Sequence, residues 1–310
     1  MRALVTGGAG FIGSNLVDAL VARGDEVLVV DDLSSGRREN LEDAIGRGAE
    51  LMEADVSDPA AMAAPFERSP ELVFHLAAQI DVRRSVADPA YDLSLNAGAT
   101  INLLEAARQA GTKRFLFAST GGAIYGEGAG RELPLDESAA ARPDAPYGAS
   151  KLAAEGYIGL YSRLYGLSTA ALRLGNVYGP RQDPHGEAGV VAIFSSALLG
   201  GGPTKVFGDG EQTRDYVYVG DVVSAFVAAA ESDATGAFNV GTGAETTVLE
   251  LGAAIAALCD TSFEPAMVRA RAGEVQRIAI DSGKAKAELG WSSEVSLEGG
   301  LQSTVDSFRS

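Results

Sequence analysis

TGGAGFIGS, residues 6–14, stands directly after a short apolar run, Ala3–Thr6, that is typical of a buried β-strand. Its glycines Gly7, Gly10 and Gly13 are spaced three residues apart, a variant of the fingerprint of dinucleotide-binding βα turns. In such a turn the first glycine allows a tight bend, the second lets backbone approach a pyrophosphate, and the third lets helix and strand pack closely. The first N–H groups of the following helix would face the phosphates. The stretch therefore predicts a dinucleotide bound at the first βα turn.

A carboxylate follows at the distance that this fingerprint requires. The second apolar run, Glu26–Asp31, ends at residue 31, which is 18 residues after residue 13 and near the ~20 expected for an acid that holds ribose hydroxyls. Asp31 and Asp32 would repel a 2′-phosphate, which favours NAD over NADP. Arg37 and Arg38 keep NADP open as the alternative, because a nearby arginine can accept that phosphate.

The first half of the chain alternates strand and helix patterns. Further apolar runs predict strands buried on both faces at Glu50–Asp55, Leu72–Ala77, Arg114–Ser119 and Thr169–Leu174. Helices are predicted at Phe11–Arg23, Pro59–Glu67, Pro89–Ala110 and Pro146–Tyr165, and in the second half at Asp221–Glu231, Val248–Cys259 and Lys284–Leu289. This order predicts a Rossmann-type doubly wound α/β fold with a parallel sheet, whose ligands lie at the carboxyl ends of the strands. We expect a dinucleotide-binding domain over residues 1–175 and a smaller, mainly substrate-binding lobe over residues 176–310, with some segments packing back on the first domain.

Composition excludes several other classes of protein. The net charge of −17 argues against a nucleic-acid surface or an anionic-membrane anchor, and 46% apolar residues argue against disorder. No apolar run reaches the ~18 residues of a membrane-spanning helix, and the apolar run at the N-terminus is too short for a secretory signal. A single cysteine, Cys259, excludes an internal disulfide, and the two histidines, His75 and His185, lack metal-ligand spacing. We therefore expect a cytoplasmic protein without a metal.

A second chemical pattern is Tyr147-x-x-x-Lys151, inside a predicted helix. Residues four apart lie on one helix face. An ammonium beside a phenol favours the phenolate and would bring the tyrosine pKa of ~10 towards neutrality. Tyr147 is thus a candidate general acid/base for a substrate hydroxyl, and Lys151 could also hold the nicotinamide ribose.

Together, the glycine turn, Asp31, Ser119-Thr120 and Tyr147-x-x-x-Lys151 resemble the extended short-chain dehydrogenase/reductase family over essentially the whole chain. Within it the chain is most similar to the UDP-glucose (UDP-galactose) 4-epimerases of the short bacterial type. The resemblance implies an isomerase that moves a hydride from C4 of a nucleotide sugar to tightly held NAD and back. It also implies that a set of residues contacts the cofactor: Gly7, Gly10, Phe11, Ile12, Gly13, Asp31, Asp32, Ser35, Gly36, Asp55, Val56, Leu76, Ala77, Ala78, Gln79, Asn96, Ser119, Tyr147 and Lys151. Asn96 would contact the cofactor or support the tyrosine helix.

The segment after the fifth strand separates the branches of this family. It reads Ser119-Thr120-Gly121-Gly122-Ala123, where related 4,6-dehydratases carry an Asp-Glu pair and uronate decarboxylases a Glu. Without an acid to protonate a leaving hydroxyl, the resemblance favours epimerisation. Counted forward from the fifth strand and backward from the residues after it, the family's catalytic Ser/Thr falls at different positions. We therefore expect a one-residue bulge here, with Thr120 as the catalytic hydroxyl and Ser119 as the second candidate.

The resemblance also implies the substrate site and the assembly. Asn176 would bind the sugar nucleotide, Arg214 and Arg271 would clamp the diphosphate, and Glu274 would accept the uridine ribose hydroxyls. The remaining substrate contacts would come from Thr120, Tyr147, Val190, Val191 and the strand Lys205-Val206-Phe207. Relatives pair through helices that correspond to Pro89–Ala110 and Pro146–Tyr165, which implies a homodimer with a four-helix bundle.

Three alternatives remain open at this point. The substrate could carry dTDP in place of UDP, or an N-acetylhexosamine or uronate in place of the hexose, since Ile278 near the sugar-size gate decides little. Another family reaction, such as 4,6-dehydration, is argued against by Gly121-Gly122. A sensor that binds the dinucleotide without chemistry would have no use for Tyr147 and Lys151.

Overall fold

The computed structural model describes residues 1–128, 130–185, 189–270 and 275–309. Its strands are β1 Arg2–Thr6, β2 Glu26–Asp31, β3 Glu50–Glu53, β4 Leu72–His75, β5 Arg114–Thr120, β6 Ser168–Leu174, β7 Asn176–Tyr178, β8 Lys205–Phe207, β9 Thr213–Arg214, β10 Tyr216–Tyr218, β11 Gly236–Val240, β12 Thr246–Thr247 and β13 Ala266–Val268. Its α-helices are α1 Phe11–Ala22, α2 Glu42–Gly46, α3 Ala63–Glu67, α4 Val82–Ala87, α5 Pro89–Leu93, α6 Ala99–Ala110, α7 Gly121–Ile124, α8 Pro146–Tyr165, α9 Val190–Leu199, α10 Val219–Glu231, α11 Val248–Leu258, α12 Gly283–Leu289 and α13 Leu297–Arg309.

A parallel sheet of seven strands forms the centre of the described chain, in the order β3-β2-β1-β4-β5-β6-β11. Two apolar clusters cover its faces, one built with α1 and α10 and the other with α6 and α8. The order runs outward from β1 in one direction and from β4 in the other, so the crevice between these two strands is the topological switch point where such sheets bind ligands. The predicted Rossmann-type doubly wound fold is confirmed.

The last strand of the sheet comes from the second half of the chain. Gly236–Val240 pairs in parallel with β6, and α10 packs on β5 and β6. These are segments of residues 176–310 that pack back on the first domain, whereas α9, α11 and α13 surround a separate core that includes Phe194, Leu251 and Leu301. The predicted boundary near residue 175 therefore does not divide the central sheet, which contains strands from both sides of it.

Two predicted elements differ in the structure. The helix predicted over Pro89–Ala110 is divided into α5, a π-helical turn over Ser94–Gly98, and α6. The helix predicted from Pro59 begins only at Ala63. The apolar pattern over these residues marks them as helical, but it does not distinguish i→i+4 from i→i+5 hydrogen bonding. The π-turn brings Asn96 into the interior, where it is 1% exposed.

The pairing of β5 with β6 corrects a local expectation. The two strands pair residue for residue from Arg114↔Ser168 to Thr120↔Leu174, so β5 contains no bulge. Thr120 is its last residue, and α7 begins at Gly121. Successive strand side chains point to opposite faces, so Ser119 and Thr120 are directed differently.

Among the described residues, no helix is both long and apolar enough to cross a bilayer. The same part of the chain contains no cluster of three or more His, Cys, Asp or Glu residues placed to hold a metal ion.

Candidate active site

The glycine turn lies at the switch point between β1 and β4. Gly7 has a φ of +70°, and a Cβ there would lie 2.6 Å from the backbone nitrogen of Ala77. A Cβ at Gly13 would lie 2.1 Å from the carbonyl oxygen of Gly7. Gly10 is the N-cap of α1 and supplies no side chain to its first turn. The first N–H groups of α1 therefore stay available for a phosphate, as the fingerprint predicts.

We expect Gly13→Ala to lose the dinucleotide. The atoms nearest the new methyl group are main-chain atoms, the Gly7 oxygen at 2.1 Å and the Gly8 Cα at 2.7 Å, so the turn itself must move. Overpacking of this kind costs about 1–3 kcal/mol of unfolding free energy. The cofactor content of the purified protein and its melting temperature measure both effects. Gly46→Ala, at an open helical position, is the control and should keep the cofactor; wild-type cofactor content in Gly13→Ala would contradict the assignment.

Asp31 lies at the end of β2 and is 6% exposed. Its Oδ2 accepts a hydrogen bond from the backbone N–H of Ala9 at 2.9 Å, and its Oδ1 accepts one from that of Leu33 at 2.9 Å. Burial raises the pKa of this carboxyl, against the lowering effect of the two backbone hydrogen bonds. The carboxylate thus lies against the glycine turn, in the place required of a ribose ligand.

The two arginines that kept NADP open are engaged elsewhere. Arg37 pairs with Asp183 at 2.9 Å, and Arg38 pairs with Glu53 at 3.6 Å, both on the surface. Each guanidinium thus has a carboxylate partner of its own. The residues beside Asp31 therefore fit NAD better than NADP.

The other predicted cofactor residues surround the same crevice. Phe11 and Ile12 open α1, and Asp32, Ser35 and Gly36 belong to the turn after β2. Residues after β3 and β4 complete the set: Asp55, Val56, Leu76, Ala77, Ala78 and Gln79. Two side chains of the set turn inward. Gln79 Nε2 donates to the Asp81 carbonyl and to Asp92, and the Asn96 amide bonds the Gln79 backbone, so Asn96 supports the protein rather than facing a ligand.

Tyr147 is the second residue of α8, and Thr120 is the last residue of β5. Burial raises the pKa of Tyr147, and the charge of Asp92 raises it further. The neighbouring Thr120 side chain acts in the opposite direction, so the two side chains lie near each other. A phenol and a hydroxyl thus meet at the carboxyl end of the sheet, an arrangement that can carry a proton to or from a substrate oxygen.

Lys151 contacts the last residues of β5. Its Nζ donates to the Ala118 carbonyl at 2.9 Å and lies 4.5 Å from the centre of the Phe117 ring. Burial lowers the pKa of Lys151 to about 7, opposed by Asp92 and Glu155. The spacing predicted a lowered pKa for Tyr147, whereas burial raises it.

Ser119, the alternative catalytic hydroxyl, is part of a buried ionic network. Its Oγ donates to Glu155 at 2.6 Å, and Glu155 forms an ion pair with Arg173 at 2.7 Å, with both side chains about one-tenth exposed. Arg173 Nη1 donates to the Tyr125 hydroxyl at 2.8 Å, which donates to Asn239 at 2.8 Å. Ser119 thus ties β5 to α8, and Thr120 is the hydroxyl that lies near Tyr147, the candidate acid/base.

Apart from Thr120 and Tyr147, the predicted substrate residues come from the second half of the chain. Asn176 opens β7, and its Oδ1 would be 3.4 Å from a Cβ added at Gly122, so it borders the segment after Thr120. Val190 and Val191 begin α9, Lys205, Val206 and Phe207 form β8, and Arg214 ends β9. Ile278 is buried beside Tyr125 and Ile280. The predicted Arg271 and Glu274 lie outside the described residues.

The family model described as the NAD dependent epimerase/dehydratase family matches residues 3–241. The chain belongs to this family. UDP-glucose 4-epimerase of Mycolicibacterium smegmatis is 49% identical over 100% of this chain and 99% of its own length. UDP-glucose 4-epimerase of Thermotoga maritima, solved with UDP-glucose, superimposes with a TM-score of 0.95 at 48% identity, covering 100% of this chain and 99% of that one. The Thermus thermophilus enzyme, solved with NAD, gives a TM-score of 0.92 at 45% identity, covering 100% and 99%.

Membership of the NAD dependent epimerase/dehydratase family confirms the predicted family and the predicted cofactor, NAD. It agrees with the carboxylate at Asp31 and with the ion pairs of Arg37 and Arg38. It does not test individual site residues, which remain predictions supported by their positions.

Two buried carboxylates were missed by the sequence analysis. Asp215, 2% exposed, accepts hydrogen bonds from Thr242, Gly243 and Ile280 and so holds the loops beside Arg214 in place. Asp92, 0% exposed, lies beneath α8. A signal for Asp92 does exist, since it stands four residues before Asn96 and therefore shares a helix face with it.

Proposed function

We propose that the chain is a UDP-glucose 4-epimerase that interconverts UDP-glucose and UDP-galactose, and so serves galactose metabolism. The observation that carries the proposal is the neighbouring pair of Tyr147 and Thr120 at the carboxyl end of β5, followed by Gly121-Gly122-Ala123 with no acid. A reversible exchange of hydrogen at one carbon needs one acid/base pair and no second acid. The names of relatives at 45–49% identity support the same reaction.

In this reaction Tyr147 and Thr120 would move the proton, and other residues would hold the cofactor and the nucleotide. The Tyr147 phenolic oxygen takes the proton of the sugar's 4-hydroxyl and later returns it, with the Thr120 hydroxyl bridging the two oxygens. NAD⁺, when bound, supplies the oxidant that accepts a hydride from C4 and gives it back. The turn from Gly7 to Gly13 and Asp31 would hold it, and the nucleotide would be held by Asn176, α9, β8 and Arg214. With the nucleotide held, the 4-keto sugar can turn over about its diphosphate linkage and receive hydrogen on the other face.

The raised pKa of Tyr147 determines the resting form of this pair. Burial disfavours the phenolate, which is the form that accepts the 4-hydroxyl proton in the first step. Deprotonation of the 4-hydroxyl requires the phenolate, and therefore a positive charge in the cleft. Within the described chain Lys151 is placed to provide part of it, at the carboxyl end of β5.

The test is incubation of the purified protein with UDP-galactose, without added cofactor, while UDP-glucose is followed by chromatography. Conversion is expected, because the net redox change is zero and NAD remains bound. Conversion of only a dTDP-, N-acetyl- or uronate sugar would keep the acid/base pair and move the substrate. Elimination of water would assign a dehydratase, and no reaction with any sugar nucleotide after NAD is added would refute the proposal.

We also propose a homodimer in which a second copy of the chain covers an apolar face. This face, the α4–α5–α8 face, consists of exposed large apolar side chains on three neighbouring helices: Val82, Val86, Tyr91, Leu93, Tyr157, Leu160, Leu164 and Tyr165. Leu164 is 60% exposed and Val86 is 63% exposed. A contiguous patch of this kind is typical of an interface. Two of the three helices lie in the segments for which pairing was predicted.

Leu164→Asp should yield a monomer, because a carboxylate at the exposed C-terminal end of α8, on the α4–α5–α8 face, would be buried on association. Size-exclusion chromatography with light scattering measures the mass directly. Ile45→Asp, on α2 and 39% exposed, introduces the same charge away from this face and should leave the mass unchanged. A dimeric Leu164→Asp protein would place the interface elsewhere.

A further inference from the structure

Asp92 is a fully buried carboxylate between the cofactor side of the site and the catalytic helix. It lies on α5 and is 0% exposed. Its Oδ1 accepts hydrogen bonds from Gln79 Nε2 at 2.8 Å and from Asn96 Nδ2 at 3.1 Å. Its Oδ2 accepts one from Ser150 Oγ at 2.7 Å. Both oxygens are therefore engaged, and each donor comes from a different part of the site.

The three donors join three elements. Gln79 belongs to the loop after β4, Asn96 to the π-helical turn, and Ser150 to α8, one residue before Lys151. The Asn96 amide also bonds both backbone groups of Gln79, so the loop and the turn are fixed to each other. Hydrogen bonds to a charged acceptor are stronger than neutral ones, and a buried carboxylate without them would be costly. The carboxylate is thus the group through which α8 is connected to the cofactor side.

We propose that Asp92 is a positioning residue of the reaction, whose buried carboxylate holds the Tyr147–Lys151 face of α8 against the cofactor side of the site. The proposal rests on the proposed function, since Tyr147 and Lys151 are its acid/base and charged groups. It adds a residue that touches neither substrate nor NAD and acts through Ser150 and through its charge.

The charge of Asp92 bears on Lys151 in a definite direction. Burial lowers the pKa of Lys151 to about 7, and Asp92 raises it, followed by Glu155. Two other ionisable groups lie near the lysine, and Asp92 acts on its pKa more strongly than either. His75, on β4, is neutral, because burial lowers its pKa to about 3, and Glu155 is shared with Arg173. Asp92 therefore keeps a substantial fraction of Lys151 as the ammonium at neutral pH.

Asp92→Asn removes the negative charge of this side chain and can keep its hydrogen bonds with Gln79, Asn96 and Ser150. The amide oxygen can accept from Gln79 and Asn96, and the amide nitrogen can donate to Ser150 Oγ. Lys151 should then deprotonate at lower pH, by about one unit, since a neighbouring opposite charge has been removed. Because the carboxylate also raises the Tyr147 pKa, both limbs of the pH–rate profile should move towards acid, and kcat should fall at pH 7 while KM changes little.

The first measurement does not depend on turnover. The chain has five lysines, so NAD-loaded protein labelled with ¹³C-lysine gives few ε-carbon signals, and the one lost in Lys151→Arg identifies Lys151. Its titration in Asp92→Asn should shift to lower pH than in the unsubstituted protein. Asp88→Asn is the matched control, because Asp88 caps the same helix, is exposed, and can be replaced by another capping residue. Equal titration of Lys151 in Asp92→Asn and the unsubstituted protein overturns the proposal.

The second measurement is the pH dependence of kcat and KM with UDP-galactose. If no sugar nucleotide is converted by the unsubstituted protein, the proposed function fails, and the lysine titration still decides the role of Asp92. If Asp92→Asn does not fold, Ser150→Ala tests the connection alone. This variant keeps the Asp92 carboxylate, and alanine is favourable in a helix. We therefore expect kcat to fall several-fold while the pH dependence of the rate stays unchanged. An unchanged kcat in Ser150→Ala would overturn the positioning role.

Discussion

Tyr147→Phe should fold normally, retain NAD and lose roughly 10²–10⁴-fold in kcat, the contribution of a positioned acid/base. The substitution removes one oxygen atom, the one nearest to the Thr120 side chain, and leaves the ring in place. Without it no group of the described site is placed to take the 4-hydroxyl proton. The Thr120 hydroxyl cannot replace the phenol, because no stronger base among the described site residues is placed to take up its proton. The measurement is initial-rate epimerisation of UDP-galactose together with the NAD content of the protein.

The control for this result is Tyr161→Phe on the same helix. The Tyr161 hydroxyl donates to Glu105 at 3.2 Å, away from the crevice, so its loss should leave kcat near that of the unsubstituted protein. Thr120→Val should lie between the two, since it removes the bridge and keeps the phenol. Activity of Tyr147→Phe near that of the unsubstituted protein would remove Tyr147 from the acid/base role.

Arg173→Met should produce the largest loss of stability, roughly 3–5 kcal/mol, because it leaves a buried carboxylate without its counter-charge. Burial alone would lower the pKa of Arg173, but the hydrogen bonds and charge of Glu155 outweigh it, and the net direction is upward. The guanidinium contacts both carboxylate oxygens and the Tyr125 hydroxyl. Chemical denaturation gives the free energy of unfolding, and the melting temperature should fall on the order of 10 °C.

Two variants separate charge from packing. Arg68→Met breaks a pair with Glu50 whose two side chains are exposed, so it should cost at most about 1 kcal/mol. Glu155→Met with Arg173→Met removes both buried charges and should recover most of the loss. A single Arg173→Met variant as stable as Arg68→Met would show that the pair contributes nothing net.

Much of the site follows from local sequence patterns. Gly7, Gly10 and Gly13 between a strand and a helix, with Asp31 at the end of the next strand, locate the cofactor turn, because a βα unit places these residues together by chain geometry. The Tyr147-x-x-x-Lys151 pattern locates the catalytic helix for the same reason. Even the choice of NAD follows from Asp31, and the structure adds only that Arg37 and Arg38 are paired.

The sequence alone did not settle features that depend on contacts between distant segments. Gly236–Val240 gives no sign in its own pattern that it completes a sheet begun at residue 2, since an edge position depends on the partner strand. The choice of Thr120 over Ser119 depends on which face of β5 meets α8 and on Glu155 accepting from Ser119, 36 residues away in the chain.

The sequence of this protein by itself predicted the doubly wound fold, from its alternating strand and helix patterns. It also gave the candidate cofactor turn and the Tyr147–Lys151 pair, from spacing within single strand–helix units. Only the tertiary structure decided the electrostatics of these groups. Lys151 donates to the Ala118 carbonyl, burial raises the pKa of Tyr147, and the buried Asp92 accepts from Ser150 on α8. The physical reason is burial: the cost of removing a charge from water depends on everything packed around it, and the linear spacing of residues carries no record of that environment.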